Sequence, residues 1–270
     1  MQTDLLRDMK ILVTRPEHQA DPLCQLLERY GSKPVCLPVI QIEPITLSKE
    51  FSQILSDTHQ IDFAIFISPN AVKYGIAPLL SHNTLPKTLK LVTIGQASAK
   101  KLQQLLGRMP DIYPIDNYNS EALLALDSLQ ESLVKNKSIV IFRGLGGREL
   151  LANTLRQRGA KVTYAEVYQR IQPKYSKSEL EPIFGLSRQI DMITITSSEG
   201  LYNLVALLKQ TQQQESYLKR LWQIPLVVVT EKMRDQAQVL GFTQPIVIAN
   251  KASNQALVDG VLQYRKDVCG

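Results

Sequence analysis

The 270-residue chain is poor in metal ligands, with three histidines and three cysteines, none of them clustered. His18, His59 and His82 lie far apart with no HExxH pattern, which argues against a metal centre. Cys24, Cys36 and Cys269 match neither metal nor redox spacing, and the odd count argues against a disulfide framework. No apolar run approaches membrane-spanning length, and the opening "MQTDLLRDMK" lacks the apolar core of an export signal. A cytoplasmic protein with no metal or organic cofactor and no membrane partner is the expectation. There is no block of Lys and Arg and no aromatic-studded basic strand, so nucleic acid is not an expected partner.

What is present is ordinary in amount and biased in sign. Apolar residues make up 44% and charged residues 21% of the chain, as in globular proteins, and the length suits one large domain or two small ones. Lys plus Arg number 31 against 25 Asp plus Glu, a net charge of +6. That balance favours anionic partners without choosing among them.

One stretch, "SIVIFRGLGGREL", opens like a nucleotide-binding turn. Gly144, Gly146 and Gly147 would let the backbone approach an anion at a helix N-terminus. The dinucleotide fingerprint needs a further glycine at position 149, which is Glu149, and no Lys-Ser or Lys-Thr pair follows. A nucleotide-dependent enzyme is thereby disfavoured, and the turn is expected to hold some other anion.

Short apolar runs ("ILVT", "FAIFIS", "LVTIG", "SIVIF", "MITIT", "LVVVT") alternate with stretches of helical periodicity such as "ELLANTLRQRG". The alternation implies parallel sheets with helices on both faces. It also repeats. Arg15 to Gly31 and Arg143 to Gly159 both span 16 positions, and Gly107 to Ala122 and Gly241 to Ala256 both span 15. "FISPNAV" lies over "TITSSEGL", pairing Ser68 with Ser197. The unit is duplicated, but the repeat leaves two divisions open: a cut near residue 135, or two crossings between domains.

Ligands of doubly wound sheets bind at the carboxyl ends of the strands. Those ends read Thr14-Arg15, Ser68-Pro69-Asn70, Gly95-Gln96, Arg143-Gly144, Ser197-Ser198 and Thr230-Glu231-Lys232. Ser68 before Pro69 has the form of an N-cap, as do Ser197, Asn119 and Ser253. No end carries a lone Asp, a nucleophile elbow, a His or a carboxylate pair. Helix N-termini, hydroxyls and a few cations suit binding of carboxylates better than activation of a nucleophile.

The ordered set "ILVTRP", "FISPNAV", "TIGQASAKKLQQLLG", "NSEALL", "RGLGGREL", "AEVYQR", "TSSEGL" and "NQALVDGV" resembles the uroporphyrinogen-III synthase family, bacterial branch, over nearly the whole chain. The resemblance implies two flavodoxin-like α/β domains, each a five-stranded parallel sheet with helices on both faces, joined by a two-stranded linker. Residues 1–38 with 173–270 would form one domain, 44–165 the other, and 39–43 and 166–172 the linkers. It implies a monomeric hydro-lyase that dehydrates hydroxymethylbilane, inverts its last pyrrole ring and closes the macrocycle, without a cofactor. The substrate is a polycarboxylate tetrapyrrole, handed over from hydroxymethylbilane synthase.

Tyr168 of "VYQR" matches the tyrosine proposed in the family to assist departure of the hydroxyl. Ser68, Ser98 and Ser197 match hydroxyl-bearing rim positions. Arg15, Asn70, Gly95, Arg143, Gly144, Gly146 and Ser198 complete the expected substrate contacts. "TEKM" at Thr230–Met233 departs from the family's Gly-Pro-Thr-Thr, so Thr230 or Lys232 is expected to take over that loop's binding role. The competing class is a non-catalytic two-domain binder of a small anion.

Overall fold

The structure, a computed structural model, describes residues 5–47, 49–80, 85–185 and 190–269, which leaves His82 outside. The chain forms two compact units: Met1–Gln41 with Ile171–Gly270, and Ile42–Arg170. Ten strands are present among the described residues: β1 Lys10–Val13, β2 Lys33–Cys36, β3 Gln41–Pro44, β4 Phe63–Phe66, β5 Lys90–Thr93, β6 Ser138–Gly144, β7 Lys161–Ile171, β8 Met192–Thr194, β9 Leu226–Val228 and β10 Ile246–Ile248. No helix among the described residues is long and apolar enough to cross a membrane.

The first unit orders its strands β10-β9-β8-β1-β2, and every pairing is parallel. Its inner strands are continuous apolar runs because both faces are covered. Ile11 and Val13 turn into one core with Leu23 and Leu27 of helix Glu17–Arg29 and Leu257 and Val261 of helix Asn254–Cys269. Leu12, equally buried, points to the opposite face by the two-residue period of a strand. Helix Glu17–Arg29 buries Ala20, Leu23, Cys24 and Leu27, the i, i+3, i+4, i+7 stripe of an amphipathic helix.

The second unit runs β3-β7-β6-β4-β5, with β4–β5, β4–β6 and β6–β7 parallel. Its two faces carry separate cores. Ala64, Phe66, Val140 and Phe142 meet helix Pro69–Leu80 on one side. Phe63, Ile65, Ile139 and Ile141 meet Leu151 and Leu155 of helix Leu150–Gln157 on the other. Phe66 and Phe142 stack with centroids 4.6 Å apart, a contact that adds about 0.5–1.5 kcal/mol beyond area burial.

The duplication is distributed between the units. β1 and β2 correspond to β6 and β7, and β4 and β5 to β8 and β9, so each unit joins the first half of one copy to the second half of the other. The match is incomplete at the edges. Where the first unit has β10, the second has a single parallel bridge between Val92 and Ile112. β3, beside β7, brings its strand number to five.

Candidate active site

Arg143 is the last residue but one of β6 and is only 2% exposed. Its Nε donates to the Gly144 carbonyl at 3.3 Å, Nη1 to Glu149 Oε1 at 3.1 Å, and Nη2 to the Gly146 carbonyl. The guanidinium also lies 4.3 Å from the centroid of the Tyr164 ring, an attractive position over the π face. Positive φ at Gly146 and Gly147 (75° and 106°) bends the turn around the arginine. The glycine turn expected to offer its amides to an external anion therefore turns carbonyls inward, onto a cation of the chain itself. One amide does meet a carboxylate, an internal one: Gly146 N–H donates to Glu166 Oε1 at 3.3 Å.

Glu149 closes this cluster. Tyr164 donates to its Oε2 at 2.6 Å, and that bond, followed by Arg143, holds the carboxyl below the usual carboxylate range. Burial first, then Glu149, pushes the Tyr164 phenol up.

Tyr168 is placed by an irregularity. β6 and β7 pair residue for residue from Ser138–Lys161 to Arg143–Glu166, and then Gly144 pairs with Tyr168, leaving Val167 as an extra residue. Such a bulge re-aims the next side chain. Val167 and Tyr168, though consecutive, both enter the core that holds Ala165. The Tyr168 ring lies on Gly144, where any Cβ would come within 2.7 Å of it; only glycine fits there. Tyr168 is 3% exposed, a packed ring whose polar tip meets Ser68.

The Tyr168 Oη and Ser68 Oγ are 3.1 Å apart. Ser68 Oγ also accepts the Ala71 N–H at 3.0 Å, capping helix Pro69–Leu80. When Ser68 donates to Tyr168, the phenolic proton is free to donate elsewhere. Asn70, half-buried, follows in the first turn of that helix.

A cavity of ≈ 380 Å³ opens near these strand ends within the second unit. Ile67, Ile94, Ile141 and Leu151 give it an apolar lining; Arg143, Arg148, Asn119, Ser120, Tyr118 and Tyr164 give it a polar one. Gly95 is required for this wall, because a Cβ would stand 2.8 Å from Tyr118. Tyr118, Arg148 and Tyr164 escape the strand-end rule, since two lie in loops and one within a strand. Asn119 was visible as a cap, and its Oδ1 accepts the Ala122 N–H at 2.7 Å. Ser98, expected on the rim, is 4% exposed inside helix Gln96–Leu106.

In the first unit, Arg15 stands just past the end of β1, as Arg143 stands at the last but one position of β6. It is 7% exposed, donates to Asn254 Oδ1 at 2.6 Å and to the Ala252 carbonyl, and has a buried Nε without a partner. Burial pushes its guanidinium pKa down. Ser197 Oγ accepts the Gly200 N–H at 3.0 Å, and Ser198 donates to Gln236 Oε1 at 2.6 Å. Thr230 Oγ1 accepts the Met233 N–H at 3.2 Å, and Lys232 is exposed in the first turn of helix Glu231–Val239. Thus Ser68, Tyr168, Gly144, Arg143 and Gly146 form one connected contact group. Asn70 adjoins that group, Ser98 lies within helix Gln96–Leu106, and Arg15, Gly95, Ser197 with Ser198, and Thr230 with Lys232 stand at other strand ends or helix starts.

Two doubly wound units built from one duplicated motif, with arginines and capping hydroxyls at the strand ends, define a class of duplicated α/β proteins. Residues 21–259 match the family described as Uroporphyrinogen-III synthase HemD. The uroporphyrinogen-III synthase of Escherichia coli (strain K12) is 33% identical over 251 residues, 93% of this chain and 98% of that protein. The synthase of Proteus mirabilis is 39% identical over 175 residues, 63% of this chain and 85% of its own. The solved structure of the Helicobacter pylori 26695 uroporphyrinogen-III synthetase shares the fold, with a TM-score of 0.59 at 15% identity over 95% of this chain and 99% of that one. This chain belongs to the uroporphyrinogen-III synthase family.

Proposed function

We propose that this protein dehydrates hydroxymethylbilane and closes it, with its last pyrrole ring inverted, to uroporphyrinogen III. The observation that carries the reading is the family match along residues 21–259, joined by a relative aligned over nearly the whole of both chains. In the reaction the hydroxymethyl carbon–oxygen bond breaks, driven by the pyrrole nitrogen. Hydroxyl and a proton leave as water, and a conjugated azafulvene remains. Little acid is needed. Tyr168 is the group proposed to supply it, by donating from Oη to the departing hydroxyl while Ser68 donates to the phenolic oxygen. The substituted carbon of the last ring then attacks before the unsubstituted one, so the main work is orientation and exclusion of the competing closure.

The substrate's eight carboxylates are proposed to meet the helix N-termini at Ser68-Asn70, Gly95, Ser197-Ser198 and Thr230-Lys232. Each such terminus contributes about 0.3–1 kcal/mol to anion binding. Arg15 and Arg143 back these sites with buried positive charge, and Gly144 gives Tyr168 its seat. We further propose two flavodoxin-like domains linked by the two strands at the crossings Gln41/Ile42 and Arg170/Ile171, supported by the 2-1-3-4-5 strand order of the first unit. Cytoplasmic location and transfer of substrate from hydroxymethylbilane synthase belong to the same reading.

The test is incubation of the protein with hydroxymethylbilane and separation of the products. Type III product in excess of the spontaneous type I isomer is expected. Type I alone, at the uncatalysed rate, would reduce the protein to a binder.

A further inference from the structure

Cys24 and Cys36 are 12 positions apart and match no redox motif, yet their Sγ atoms are 2.8 Å apart. The cause is the connection from β1 through helix Glu17–Arg29 to β2. Cys24 lies on the buried stripe of that helix, and Cys36 ends the parallel strand beside β1. The pair is asymmetric: Cys24 is 8% exposed, whereas Cys36 is open to solvent.

Two thiolates on a tetrahedral zinc ion, each about 2.3 Å from the metal, sit about 3.8 Å apart. Those of a disulfide are about 2.05 Å apart. The observed separation is too short for a shared metal, and among the described residues no group of three His, Cys, Asp or Glu side chains could hold one. Oxidation is the chemistry left open to this pair.

We propose that Cys24 and Cys36 are a peroxide-reactive pair, in which exposed Cys36 is the nucleophile and buried Cys24 the resolving thiol. The Cys36 sulfur attacks one peroxide oxygen and the O–O bond breaks. Sulfur is oxidised by two electrons to a sulfenic acid, and the other oxygen leaves as hydroxide, which becomes water. The Cys24 sulfur then attacks Cys36 Sγ, and the S–O bond breaks. The sulfenic oxygen leaves as water with the Cys24 proton, and an intramolecular disulfide remains. Two equivalents of a small thiol reverse it by exchange.

The local electrostatics divide the roles in the same way. The shared hydrogen bond is the main cause that holds the Cys36 thiol below its ordinary range and drives that of Cys24 up. Burial and the carboxylates of Asp21 and Glu28 oppose the Cys36 thiolate, and Cys36 stays lowered against them. The disulfide would fasten helix Glu17–Arg29 to the end of β2, directly ahead of the segment Leu37–Ile40. That segment is already held by Leu37 N–H to Val13 O (3.0 Å) and Val39 N–H to Thr14 O (3.1 Å).

The experiment uses the full chain carrying Cys269→Ser, exposed to hydrogen peroxide and digested with trypsin without reductant. Arg29 lies between the two cysteines and separates their peptides. A linked peptide pair, lighter than its parts by two hydrogens and released by glutathione, is expected. With Cys24→Ser, Cys36 should accumulate as a sulfenic acid trapped by dimedone. With Cys36→Ser, trapping at Cys24 should be at least about tenfold slower, because the buried sulfur stays protonated. Conversion of Cys36 to sulfinic acid without any linked peptide would overturn the proposal. So would equal trapping rates in the two serine variants.

Discussion

At the scale of single residues, Tyr168 and Ser68 make the sharpest demand. Tyr168→Phe keeps the ring that packs on Gly144 and removes only the oxygen that meets Ser68. General acid assistance is typically worth 10²–10⁴-fold. Because the azafulvene forms readily, the expected fall in kcat is about 10²-fold or less, at most about 3 kcal/mol of barrier. KM should be nearly unchanged and type III product still measurable, and Ser68→Ala should be milder. Wild-type kcat in the phenylalanine variant would leave Tyr168 a packing residue. Glu149 gives a second test, through pH. Its carboxyl is held below its ordinary value by Tyr164 first and Arg143 next, so its contribution to stability is full above about pH 4.3 and is lost as pH falls through the lowered pKa. Glu149→Gln should therefore lower the urea midpoint at pH 7 and converge on wild type as acid protonates the carboxyl. A gap that widens on acidification would reverse that sign. Ser68 was legible in the sequence as a serine before a helix-starting proline, and Tyr168 only by resemblance. Their meeting was not legible, because the bulge at Val167 carries no glycine or proline to mark it. That the Gly144 and Gly146 carbonyls accept from Arg143 was not legible either, because a glycine-rich sequence does not reveal whether amides or carbonyls point inward.

At the scale of elements, the caps are the exposed dependencies. Thr230 is one such cap: its Oγ1 accepts the Met233 amide at the head of helix Glu231–Val239. Thr230→Ala should destabilise the protein by about 1 kcal/mol, within the usual 0.5–2 range, and Thr230→Ser should restore most of that loss. Denaturant midpoints of the three proteins measure it. No change in the alanine variant would mean that the helix end is satisfied by water alone. The inner strands were readable as elements because burial on both faces makes them continuous apolar runs, as in Phe63–Phe66 and Leu226–Val228. Edge strands were harder to read. β2 and β3 carry Pro34 and Pro44 and alternate little, since an edge needs fewer ladder hydrogen bonds and tolerates proline. The Ile112 bridge is shorter still, and Pro114 follows two residues later. Nothing in that segment distinguishes a lost strand from a loop.

At the scale of the whole molecule, charge and chain path each lead to a measurement. A net charge of +6 attracts a substrate with eight carboxylates, and the attraction is screened as the Debye length shrinks to ~8 Å at physiological ionic strength. KM should rise between low and moderate salt while kcat changes little; a flat KM would mean that charge does not guide recognition. The chain path predicts which piece folds alone. Residues 42–170 keep β4, β5, β6 and β7 in one sheet, together with both of its cores. A fragment cut at the repeat boundary, residues 1–135, keeps β4 and β5 but loses β6, the strand that joins β4 to β7. It also keeps β1 and β2 without β8, β9 and β10. Two half-sheets, each with an open apolar edge, have no complete core to offset the entropy of ordering the chain. The 42–170 fragment should therefore unfold in urea with one cooperative far-UV transition, and the 1–135 fragment with a gradual, sloping change. A cooperative transition in 1–135 with none in 42–170 would show that the chain folds by its repeats and not by the units into which its contacts divide it.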